Sequence, residues 1–254
     1  MSERRWTGLV LATTALATTA LALLAAVAGC SQSAGIGQPS AGQPSTGQPG
    51  ATEMAGVAAA GPGGYTASQL KSALLTRVSG ARPAAAAEAG DYGTLPDVQT
   101  SKQTMTGVKI TPARCTAAAA GGFGSASFSQ APAALVTFRV GRDGVSEVLI
   151  SATSQLAATA LNEKLPAGCA HYQATMDGKT FSYSVRQVIL GGLADQARAL
   201  NVMAAGYSEV NVWSVIYQGS GFVGAVTMVG RDASEQGARR LASQAYAHAG
   251  QSLS

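Results

Sequence analysis

The 254 residues carry 17 basic and 13 acidic side chains, a formal charge of +4, with 46% hydrophobic residues and three cysteines. The charges stand singly, and Arg239-Arg240 is the one adjacent basic pair after the N-terminal stretch. Sequence alone therefore shows no clustered basic patch of the kind a nucleic-acid binder carries, and two histidines with three dispersed cysteines do not make a zinc site.

The chain opens Met1-Ser2-Glu3-Arg4-Arg5-Trp6, and residues 7–29 then run without a charge. A basic start, an apolar run and a small-residue exit describe a secretory signal peptide. The run is long enough to span a bilayer, but its many Thr and Ala make it only moderately apolar. Val27-Ala28-Gly29-Cys30 reads aliphatic, small, small, Cys. This stretch resembles the lipobox of bacterial lipoprotein precursors. The resemblance implies a thioether lipid on Cys30, cleavage before it, and a mature protein held on the outer face of the cell membrane. Two or three acyl chains, such as palmitate, at about 0.8 kcal/mol per buried methylene, suffice for stable anchoring. A plain thiol ending an anchor helix is the competing reading. Arg4-Arg5 also invites twin-arginine export, but Trp6-Thr7-Gly8 fits that motif poorly, so general secretion is favoured. Removing residues 1–29 takes away Arg4, Arg5 and Glu3, leaving 15 basic against 12 acidic residues, or +3.

Residues 30–63 form a tether. Gly37-Gln38-Pro39-Ser40-Ala41, Gly42-Gln43-Pro44-Ser45-Thr46 and Gly47-Gln48-Pro49-Gly50-Ala51 are copies of one pentapeptide, too poor in apolar surface to order themselves. A flexible coil of this length spans roughly 30 Å and stretches to about 110 Å.

Residues 64–254 are read as one α+β domain, large enough for its own core. Thr66-Ala67-Ser68-Gln69 is a capping-box signature, and Leu70, Leu74, Leu75 and Val78 at helical spacing predict a helix over 67–78. Residues 79–108 show no clear period, and 91–96 looks like loop. The alanine run 117–120 suggests a short helix broken by Gly121-Gly122. Residues 135–140 alternate, Arg142-Asp143-Gly144 turns, and 145–151 returns as a hairpin. Thr153 begins a helix carrying Leu156, Ala157, Ala160 and Leu161. A second hairpin runs 172–176, Asp177-Gly178, 180–189. Strands follow at 196–205, 210–218 and 222–229, the last two apolar on both faces and so central. Asp232-Ala233-Ser234-Glu235 caps a closing helix to about 250. The sum is a largely antiparallel sheet packed by N-terminal, middle and C-terminal helices.

With Cys30 lipidated, Cys115 and Cys169 form an even pair, read as one disulfide in an exported domain; two free buried thiols are the alternative. Gly219-Ser220-Gly221-Phe222-Val223-Gly224 fits a dinucleotide loop in letters only, because it joins strand to strand and no helix follows. Gly121-Gly122-Phe123-Gly124 lacks the Lys and Ser/Thr of a phosphate loop. A catalytic triad would have to use His171 or His248; neither a Gly-x-Ser-x-Gly elbow nor His-Glu-x-x-His is present, and a helix C-terminus explains His248. Asp143, Glu147, Asp177, Asp195 and Glu209 are candidate acid–base carboxylates, placed mostly at turns. Tyr172, Tyr183, Trp213 and Tyr217 lie on strands, as core or as a cleft lining.

Cys115 and Cys169, the sheet segment 210–229 and the closing stretch 232–248 resemble actinobacterial, mycobacterial-type lipoproteins with a PknH-like extracellular sensor domain, named after the outer part of a receptor kinase. The resemblance covers about the last 140 residues. It implies an antiparallel sheet with packed helices, disulfide stabilisation and a cleft for an unidentified ligand. That family carries two disulfides, whereas this chain can form one. No kinase domain is present, so sensing would need a separate partner. The expectation is a non-enzymatic binding or sensor-like lipoprotein, without cofactor, metal or nucleic acid, whose partner is a small ligand, an envelope component or a protein. A carrier of a lipid or other apolar ligand comes second, and a cell-envelope hydrolase third.

Overall fold

The computed structural model describes residues 60–120, 123, 126–194, 196–205 and 210–254. Residues 1–29, Cys30 and the pentapeptide repeats lie outside them, as do Asp195, Glu209 and most of the 121–124 glycine run.

Nine antiparallel strands form one sheet in the order β1-β3-β4-β9-β8-β7-β6-β5-β2. In chain order they are β1 (Glu88–Asp91), β2 (Lys109–Thr111), β3 (Pro132–Val140), β4 (Asp143–Ser151), β5 (His171–Met176), β6 (Lys179–Leu190), β7 (Ala197–Ala205), β8 (Val210–Gly219) and β9 (Phe222–Gly230). The helices are α1 (Ala67–Ser72), α2 (Pro96–Thr106), α3 (Thr116–Ala120), α4 (Ala126–Ser129), α5 (Ser154–Asn162) and α6 (Glu235–Ser252), with 3-10 turns at Tyr92–Thr94 and Ala113–Cys115. The architecture is the expected single-domain α+β, with β8 and β9 at its centre.

Strand alternation sorts side chains onto two faces. On the first, Val136, Leu149, Val215, Tyr217 and Val226 meet Leu70 near α1 and Ala238, Leu241, Ala242 and Ala245 of α6. Those alanines let α6 lie close along β8 and β9. On the second face, Ala157, Ala160 and Leu161 of α5 pack on Ile150, Ile216, Val223 and Ala225. Further along that face, Cys115, Cys169, Tyr172, Tyr183 and Val202 share a third cluster. The Cys115–Cys169 disulfide is formed (S–S 2.05 Å), tying the segment before α3 to the residues before β5. Among the described residues no helix is long and apolar enough to cross a membrane.

Two local expectations are corrected and one is sharpened. The first helix ends at Ser72 rather than 78, because beyond Ala73 the Leu75 N–H leaves helical bonding and donates to the Glu147 carboxylate at 2.7 Å. The chain then reverses through Ser79 (φ 47°) and Gly80 (φ 81°), bonded Val78 to Ala81. In the β3–β4 hairpin Val140 pairs with Asp143. The turn is therefore Gly141-Arg142, with Gly141 at φ 63° in the first central position that a II′ turn reserves for glycine, and Asp143-Gly144 already belong to β4. Within the tetrad before α6 the cap is Ser234, whose Oγ accepts from Gly237 N–H. The Asp177-Gly178 turn has both residues at positive φ, as a I′ hairpin requires.

Candidate functional site

Helix α6 covers β8 and β9, the same core takes in Leu190, Ala197 and Ala199 at one end of β6 and β7, and the other end of that face stays open. In the ladder there, His171 opposes Ser184, Ser184 opposes Met203, and Met203 opposes Asn211. Directly opposed residues in an antiparallel sheet project to one side, so these four make a row across four strands. Ser182 and Ala205 pair in the next position. The six residues line a groove of about 290 Å³, open to solvent, close to the lower size of ligand pockets. Met203, 48% exposed, is its apolar centre.

Beyond the groove, two residues after Ser184 on the same strand face, Arg186 opposes Asn201. Its guanidinium lies 5.4 Å from the centre of the Trp213 ring and pairs with Glu235 of α6 at 3.4 Å. Behind the strands, on the opposite face, Tyr172 and Tyr183 stack at 5.1 Å with 10° between their planes. Burial pushes the Tyr183 phenol up to about 12, so the pair is neutral. The groove thus offers two hydroxyls, an amide and an imidazole around a thioether, suited to holding a small polar molecule by hydrogen bonds. His171 faces Ser184, yet among the described residues no hydrogen bond joins it to Ser182 or Ser184, and none of the residues lining the groove is acidic.

The other candidate residues are dispersed. Glu147 sits in mid-β4, on the strand expected over 145–151, at 1% exposure. Its neighbours in the strand, Val145 and Leu149, belong to the core beneath α1 and α6. Its Oε2 accepts from Leu75 N–H while Oε1 and the nearby Tyr217 hydroxyl have no partner. Burial pushes its carboxyl up to about 7, opposed by the Leu75 bond. Asp143 packs against Gly230, and burial and then Asp232 raise its pKa. Asp177 occupies a turn with φ 49°. His248 lies on α6 with Nε2 buried and unpartnered. Tyr217 is core, touching Phe222 and Tyr246 edge-on.

Sequence reading passed over Ser182, Ser184, Arg186, Met203, Asn211 and Arg198. For β6 the signal was present, since Ser182-Tyr183-Ser184-Val185-Arg186 alternates polar and apolar. Buried Arg198 donates to the Glu163 carbonyl and lies 3.4 Å from its carboxylate. With Gln187, which donates to the same carbonyl at 2.8 Å, it closes the end of α5. Desolvation lowers its pKa, and Glu163 opposes that. Among the described residues no His, Cys, Asp and Glu group gathers as a metal site.

No family model matches the chain, and no curated protein matches it. Solved structures similar to it include two from mycobacteria. The extracellular domain of PknH from Mycobacterium tuberculosis is 13% identical, aligned over 74% of this chain and 96% of that one with a TM-score of 0.46. An uncharacterized protein of Mycobacterium smegmatis, the Rv0999 ortholog, is 16% identical over 72% and 94%, with a TM-score of 0.42.

Proposed function

We propose that this chain is a lipid-anchored, extracytoplasmic binding domain that takes a small polar ligand in the groove across β5–β8. The observation that carries the reading is the row His171–Ser184–Met203–Asn211, where hydrogen-bonding groups surround an exposed apolar side chain in a groove of about 290 Å³. A sheet face left bare in this way costs little if a ligand uses it. The lipobox at 27–30 supports placement on the outer membrane face, and the Cys115–Cys169 bond fits an oxidising compartment.

Two experiments test this. Cys30→Ser should release the chain from the membrane fraction; unchanged sedimentation and processing would reject the anchor. For the groove, N-acetylglucosamine, muramyl dipeptide and phosphatidylglycerol serve as probes in thermal unfolding. A ligand at about a hundredfold excess over its Kd should raise Tm by roughly 5 °C or more, and Met203→Trp, which fills the groove, should abolish that rise. A flat response to all three probes removes the small-ligand reading.

A further inference from the structure

Arginines that stand singly in the sequence are gathered by the fold at one end of the sheet. Arg142 forms the tip of the β3–β4 turn, and Arg139 pairs with Gly144 just below it. Along the outer edge of β3, Pro83 bridges Phe138 and Ala84 N–H donates to the Thr137 carbonyl at 2.8 Å, which brings Arg82 level with Arg139. The Val78–Ala81 reversal sets Arg77 beside Arg82. On the inner side Gly144 pairs with Val229, and Arg231 follows Gly230, which lies against Asp143. All five arginines are exposed. Asp143 and Asp232 lie on these same segments, so among the described residues Arg77, Arg82, Arg142 and Arg231 outnumber these two carboxylates. The lysines sit elsewhere, at 71, 102, 109, 164 and 179.

The chain reaches the domain at the other end of β4 and β9. There Gly63 N–H donates to the Ser151 hydroxyl, and Gly63 abuts Gly221. The arginine end therefore lies at the opposite end of these strands from Gly63.

We infer that this end is a docking surface for a linear acidic polysaccharide, a chain of sugars bearing carboxylate or phosphate groups. Guanidinium forks match both anions in a bidentate way. The arginines come from separate loops, so a polymer with repeated charges can meet several at once where one small anion cannot. Neighbouring strands lie about 4.8 Å apart, so adjacent members of the set stand within a Debye length of about 10 Å and reinforce one another. A bilayer is the poorer occupant: among the described residues neither exposed large apolar side chain, Ile189 nor Met203, lies on these segments. Single-stranded nucleic acid calls for aromatic platforms, and Phe138, the aromatic residue nearest the tip in β3, is buried. The extracytoplasmic reading above enters only in choosing a polysaccharide; the charge geometry does not rest on it.

The test uses the full-length chain in phosphatidylcholine nanodiscs with fluorescent alginate, and neutral dextran as control. Alginate should bind and dextran should not, with affinity falling roughly tenfold or more between about 0.05 and 0.25 M salt. Replacing Arg77, Arg82, Arg142 and Arg231 by Ser should weaken binding about tenfold or more. Replacing Lys71, Lys102, Lys109 and Lys179 by Ser removes the same charge and should change it by no more than about twofold. Absence of alginate binding, equal losses in the two variants, or displacement of alginate by phosphatidylglycerol vesicles at a lower anion concentration would each overturn the assignment. Alginate binding as described, together with a flat response in the groove experiment, would leave this surface standing and remove the small-ligand reading alone.

Discussion

The two halves of the sheet share one antiparallel ladder and differ in what covers them. β3, β4, β9 and β8 are buried almost throughout, between α1 and α6 on one face and α5 on the other. β5 and the first half of β6 alternate buried with exposed, because there only their lower face is covered, by the segment that the disulfide ties down. Two-sided burial yields a rigid, apolar centre, and one-sided burial leaves a polar platform. The candidate site is on the platform, while the strangest polar group, Glu147, is locked in the centre.

The comparison can be broken most severely by untying the lower cover. Cys115→Ser with Cys169→Ser removes a link across 54 residues and should lower unfolding stability by about 4 kcal/mol in the chain-entropy model. Denaturant unfolding measures it, and a loss under about 1 kcal/mol would show that the covering segment holds itself in place.

Glu147 gives the next largest effect. Its folded-state pKa, near 7, lies above the ordinary 4.5, so on raising the pH the unfolded chain loses this proton first. Stability should fall between about pH 4.5 and 7 and level off above, by about 3 kcal/mol. Glu147→Gln, whose amide oxygen can still accept from Leu75 N–H, should flatten that part of the profile. An unchanged slope would mean that the carboxylate is not buried as described.

Smaller effects sharpen the contrast between centre and platform. A methyl group at Gly224 would stand 2.5 Å from the Tyr217 ring, and both lie between helices, so Gly224→Ala should cost about 2 kcal/mol. Met203→Ala, on the open face, should cost no more than about 0.5 kcal/mol. Comparable losses at the two positions would contradict the difference in covering.

Much of the ladder was legible because its signals are local. Asp177-Gly178 demands a I′ turn wherever it occurs between alternating runs, and Thr153 and Ser234 cap their helices through bonds three residues long. The continuous apolar runs of β8 and β9 announced their central place. The candidate site was less legible. His171 was noticed as a histidine, but the partners that give it a setting, Ser184, Met203 and Asn211, come from three other strands. Glu147 was legible as a strand residue but its burial was not, since nothing nearby in the chain shows that α1 stops at Ser72 and hands it the Leu75 N–H. The 67–78 period misled for the same reason: Leu74 and Val78 are buried by a reversal of the chain and not by a continuing helix.

The amino-acid order thus set by itself the turns, caps, strand periods and parity of cysteines, since each depends on contacts within a few residues. Strand register across the whole sheet alone decided that Arg77, Arg82, Arg139, Arg142 and Arg231 stand together, that a carboxylate lies in the core, and that a groove opens beside α6. The reason is physical: pairing fixes the partners of a residue at a sequence distance that no local propensity encodes, and burial then follows from which helix happens to reach that part of the sheet.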